Sequence, residues 1–132
     1  MNDIICYAKE YLDTVNAICL AIIKQKELSS FYELKRLRVS EPAGELTLNE
    51  ICQLKYTFHG RGCRVESQTL NMDWDFGYDD VLCGLDPWKL AYYVRDKGKD
   101  CEWEDGGCVR SAFDDLVQKG KMEKKHDLYY LL

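Results

Sequence analysis

The sequence predicts an α+β domain: helices packed on a small antiparallel sheet that contains a β-hairpin and a C-terminal strand. Three observations carry that expectation. The first 26 residues repeat apolar side chains at helical steps. Residues 54–76 switch to an alternating pattern interrupted by glycines, and Asp86-Pro87 then gives a strong helix-start signal.

Each element follows in order. Ile4, Ile5, Ala8, Tyr11, Leu12, Val15, Ile18, Cys19, Ile22 and Ile23 form one apolar stripe, with Lys9, Glu10, Asp13 and Lys24 on the other face. Ser30 with Glu33 three residues on reads as the cap of a second, shorter helix, with Phe31, Leu34 and Leu37 facing inward. Residues 40–45, with Pro42 and Gly44, read as a surface loop. Leu54, Tyr56 and Phe58 then alternate with polar residues as in a half-buried strand. Leu70, Met72, Trp74 and Phe76 do the same after a turn near Gln68, so the two strands are expected to pair as a hairpin. Gly60 and Gly62 suggest a bulge in the first strand, and Gly77 ends the second.

Asp86 can cap the next helix, with proline where its missing N–H costs nothing, and Trp88, Leu90, Ala91 and Val94 line its apolar face up to Gly98. After a charged loop, Val109, Ala112, Phe113, Leu116 and Val117 make a last helix closed by Gly120. Residues 128–132 read as a strand, with Met122 a further candidate, and are expected to join the hairpin as its third strand. The chain of 132 residues reads as one domain, with a helical part over 1–40 and an α+β part over 54–132.

Composition narrows the function. There are 18 basic and 23 acidic residues, a net charge of -5, which disfavours sequence-independent nucleic-acid binding and docking on an anionic membrane. Residues 66–115 hold 13 of the acids and 5 of the bases, so the acidity is concentrated there. The 7 cysteines are odd in number, irregularly spaced and without a C-x-x-C pair, and no secretory leader precedes them. This reads as a cytoplasmic, reducing setting with mostly free thiols and no structural zinc.

Four residues invite a chemical reading. His59 and Cys63 bracket Gly60-Arg61-Gly62, but on a strand they would lie roughly 13 Å apart, and only a sharp bulge could make them a base and nucleophile. Asp73 and Asp75 share one face of their strand and would meet His59 and Arg61 across the hairpin. A small hydrolase or metal-binding enzyme using His59, Cys63, Asp73 and Asp75 is therefore the alternative function. The plainer reading makes them framework residues, with no catalytic group and no cofactor. His126 reads as a solvated histidine, and Trp88, Tyr92 and Tyr93 as core more than as a ligand cage.

The stretches Tyr56–Cys63 (YTFHGRGC), Met72–Gly77 (MDWDFG) and Gly84–Leu90 (GLDPWKL) carry a resemblance. They resemble a group of small bacterial domains with a His-Gly-x-Gly-Cys motif, an Asp-x-Asp-Phe-Gly strand and a Gly-Phe-Asp-x-Trp-Arg-Leu helix start. Leu85 stands where that pattern has Phe, and Lys89 where it has Arg. The resemblance covers about residues 50–130 and implies an immunity protein of a polymorphic or contact-dependent toxin system. Such a protein is an antitoxin that binds the C-terminal domain of its cognate toxin and blocks it. Many such toxins are nucleases with basic sites, which an acidic, aromatic surface could occupy. Asp79, Asp80, Glu102, Trp103, Glu104 and Asp105 are the expected contacts, Trp103 because an indole amid charges makes a good interface anchor.

Overall fold

Leu48–Phe58 shows how local chemistry decides an element in this chain. The Thr47 N–H donates to Glu50 Oε1 at 2.9 Å and the Glu50 N–H donates to Thr47 Oγ1 at 3.2 Å. This reciprocal capping box satisfies two otherwise orphan donors and starts a helix, so the alternation expected to make a strand here does not. Leu54 and Phe58, four apart, satisfy a helix as well as a strand, and both are buried on the helix's inner face.

The computed structural model describes residues 3–28, 36–39, 46–58, 62–67, 72–97, 103 and 105–132. In order these form α1 (Asp3–Leu28), β1 (Arg36–Val39), α2 (Leu48–Phe58), β2 (Gly62–Ser67), β3 (Met72–Gly77), α3 (Tyr78–Val81), α4 (Pro87–Lys97), α5 (Gly106–Gln118), β4 (Met122–Lys125) and β5 (Leu128–Leu131). The fold is α+β. The helix expected after Ser30 is corrected over its last part, because Arg36–Val39 is a strand that places Leu37 in a sheet; residues 29–35 lie outside the described residues.

The chain divides into two compact units, Asp13–Cys83 and Met1–Leu12 with Gly84–Leu132. The dividing points fall at 12/13 and 83/84.

The unit Asp13–Cys83 holds a three-stranded sheet of order β1-β2-β3. β2 and β3 pair antiparallel from Gly62↔Gly77 to Ser67↔Met72, the expected hairpin with its first strand displaced toward the C-terminus. Its third strand is β1, parallel to β2, and α2 supplies the crossover that a parallel pair requires. Val15, Ile18, Ile22, Leu54 and Val81 are buried here, and Phe58 meets Phe76 edge-on at 5.3 Å.

The unit Met1–Leu12 with Gly84–Leu132 holds α4, α5 and a separate hairpin of β4 and β5. The expectation that the C-terminal strand joins the first hairpin is thus corrected: β4 is its partner, with Lys125↔Leu128 closing the pair. His126 (φ 50) and Asp127 (φ 67) form the two-residue turn, both left-handed as that tight connection demands. α5 ends as expected at Gly120 (φ 75), where the Gly120 and Lys121 N–H groups donate back to the Val117 and Leu116 carbonyls. Leu85 exchanges two backbone hydrogen bonds with Tyr129, at 2.7 and 3.1 Å, which fixes the lead-in to α4 against β5. Gly84 has no room for a side chain there, since a Cβ would lie 2.7 Å from Leu128 Cδ1. Tyr11 packs edge-on against Tyr93 at 5.8 Å, and Phe113 against Tyr129 at 5.1 Å.

Candidate functional site

The sequence-predicted contact residues that are described are divided between the two units. Asp79 and Asp80 belong to the unit Asp13–Cys83, whereas Trp103 and Asp105 belong to the other, and Glu102 and Glu104 lie outside the described residues. Asp80 is a correction: it is only 2% exposed, and its Oδ2 accepts the Gly77 N–H at 2.8 Å to start α3. Asp79 is exposed beside it. Trp103 is half-buried, its ring edge-on to Tyr7 at 6.3 Å.

The acids that can be followed are largely used inside the fold. Asp86 Oδ1 accepts the Trp88 N–H at 2.9 Å and caps α4, as its position before proline predicts. Asp105 Oδ1 accepts the Cys108 N–H at 2.9 Å and caps α5; that bond holds its carboxyl below the usual carboxylate range. Asp114 accepts the Tyr129 hydroxyl at 2.6 Å, and Asp115 pairs with Lys119 at 2.9 Å across one helical turn. Burial first, and then the Asp114 bond, push the Tyr129 phenol up to about 12. The stretch 66–115 also crosses from one unit to the other at Cys83/Gly84, so its charge is not the property of one unit.

The alternative chemical set fares differently. His59 lies outside the described residues, and with it any geometry toward Cys63. Asp75 is registered with Arg64 and Asp73 with Glu66, not with Arg61 and His59, because the hairpin register is shifted from the one expected. Among the described residues no three His, Cys, Asp or Glu side chains converge as metal ligands. His126, exposed, serves the β4–β5 turn. Cys6, Cys19, Cys52, Cys83 and Cys108 are free thiols, and burial pushes those of Cys19 and Cys83 up, away from reactivity.

The feature that stands out lies among the aromatic residues of α4 that the sequence places in the core. Of the aromatic residues on α4, Tyr93 is buried, and its hydroxyl donates to Glu10 Oε2 at 3.1 Å. Trp88 and Tyr92, one turn apart on the same helix face, are each 51% exposed. Neither is loosely held. The guanidinium of Arg95 lies 5.3 Å from the centre of the Tyr92 ring. The fused part of the Trp88 indole lies on Gly106, the first residue of α5, so closely that any Cβ there would collide with it. The sequence does carry a signal for this: Gly106-Gly107 directly after a capping aspartate is a poor helix start unless something must approach the backbone.

No helix among the described residues is long and apolar enough to cross a membrane. Residues 4–131 match a family described as a domain of unknown function, DUF6896. No curated protein and no solved structure matches the chain at a significant level.

Proposed function

The chain belongs to the DUF6896 family, and from that premise we propose that it is a binding protein, an immunity protein that captures and neutralises one bacterial toxin domain in the cytoplasm. The observation that carries the reading is the pair Trp88 and Tyr92, two large rings held half in solvent on one face of α4. Rigid, exposed aromatic side chains lose little conformational freedom on binding, and indole and phenol groups dominate interface hot spots. A chain with no docking role would gain by turning such rings inward, as it does Tyr93 on the same helix. The three sequence motifs and their resemblance to immunity proteins give the partner its class. Trp103 and Asp105, on the same unit as α4, remain contact residues in this reading, whereas Asp80 does not. Its target is a toxin whose active surface is basic, as in nucleases, a reading supported by the net charge of -5.

The test mixes the purified chain with a catalytically inactive form of the toxin domain encoded immediately upstream. A stoichiometric complex on size exclusion, with rescue of growth when both are expressed, is the expected result. Absence of a complex at micromolar concentration, with that toxin folded, refutes the proposal.

A further inference from the structure

The three-stranded sheet of the unit Asp13–Cys83 sorts its residues by polarity and then by sign. Arg36 and Arg38 of β1 are in register with Arg64 and Glu66 of β2, and these with Asp75 and Asp73 of β3. One face therefore carries two rows of charged residues, Arg36-Arg64-Asp75 and Arg38-Glu66-Asp73. The row between them, Leu37-Val65-Trp74, belongs to the other face, together with Phe76, which is buried against Phe58 of α2. Six charged residues do not make a second core, because their desolvation outweighs what apolar packing returns.

Two properties of the charged face call for a partner. It is polarised, with arginines on β1, aspartates on β3 and one residue of each sign on β2. Its three arginines balance its three acids, so it is neutral in a chain of net charge -5. The register also sets like charges side by side, Arg36 with Arg64 and Glu66 with Asp73, an arrangement that destabilises a sheet left to itself.

We propose that this face is the contact of a homodimer. A second copy of the chain, related by a two-fold axis along the strands, lays its β3 on β1 and its β1 on β3. Arg36 and Arg38 of each copy then meet Asp75 and Asp73 of the other, so both ends of the face find the opposite sign. A face polarised in this way is complementary to itself, which is what an isologous contact requires. A uniformly basic or acidic partner would match one end and repel the other. The proposal does not rest on the immunity reading, whose aromatic ridge lies on the other unit.

Sedimentation equilibrium of the full chain, from micromolar to near-millimolar concentration and at low and high salt, tests it. Wild type is compared with R36E/R38E and D73R/D75R, and circular dichroism verifies that each is folded. Wild type is expected to dimerise at low salt and to weaken about 10-fold at high salt, as screened charge pairs do. Each variant alone sets like charges at both ends of the contact and is expected to lose about 100-fold in self-association. An equimolar mixture of the two variants is expected to recover it, since every reversed end then meets its complement.

A wild type that stays monomeric overturns the proposal, as does a dimer that tightens in high salt or survives both reversals. Folded variants that stay apart when mixed overturn it too. Where a reversal unfolds the chain, the neutral variant R36Q/D73N replaces it. Weakening of the dimer by about 10-fold then supports the contact, and an unchanged dissociation constant overturns it.

Discussion

The described phenylalanines of the unit Asp13–Cys83, Phe58 and Phe76, face each other in the dark, while α4 of the other unit holds Trp88 and Tyr92 half in water. Aspartates divide in a related way. Asp80 in the first unit is buried at its cap, but Asp105 in the second performs the same backbone duty and stays exposed. The chemical class is the same in each comparison, aromatic in one and aspartate in the other. What differs is how much of the side chain is left after the fold has used it, and that remainder is what a partner can touch. The acidic stretch loses weight by this measure and the aromatic ridge gains it.

Substitutions can break or sharpen the contrast. The largest effect is expected for Phe76→Ala, which empties a fully buried site and costs about 3–5 kcal/mol, whereas Trp88→Ala costs about 1–2 kcal/mol because half its surface was never buried. Urea unfolding followed by far-UV circular dichroism checks both; equal losses would erase the distinction between buried and displayed rings.

Gly106→Ala comes next, with an expected loss of about 1–3 kcal/mol from forcing a methyl group into the indole. In a Trp88→Ala background the same substitution is expected to become neutral or stabilising by up to about 1 kcal/mol, since alanine is then simply the better helix former. A double-mutant cycle reads the sign. Additive effects would mean that the glycine is not there for the tryptophan.

The smallest effect belongs to Tyr129→Phe, which removes the hydroxyl donated to Asp114 and costs about 1 kcal/mol at neutral pH. Its pH dependence is diagnostic. The folded phenol is pushed up to about 12 from an ordinary value of 10, so its stabilisation is complete below pH 10 and is lost as pH rises toward 12. Wild type is expected to lose stability over that window relative to Tyr129→Phe in parallel melts; superimposable pH profiles contradict the assignment.

Much of the fold was legible where one signal spoke alone. The stripe of α1, the Asp86-Pro87 start of α4 and the glycine end of α5 each had a single physical reading, and each stands. α2 is ambiguous in the sequence because Leu54 and Phe58 suit either period, and the decisive signal, Thr47 with Glu50, lies several residues upstream of the pattern. β1 had to be missed as well, because a parallel strand is justified only by a partner 28 positions away, as in Arg36↔Arg64. The site was legible in composition and not in position. That aromatic residues matter could be read, but which ring is displayed depends on Gly106 and Arg95, and neither advertises a ring as its neighbour.

The Leu85–Tyr129 bridge has a consequence for how the protein is made. The ribosome delivers α4 about forty residues before the strand that pins its lead-in, so until then the start of α4 is held by its own Asp86 cap alone. A chain ending before Tyr129 therefore lacks both backbone hydrogen bonds at Leu85, and the last strand is the step that completes the lead-in to α4.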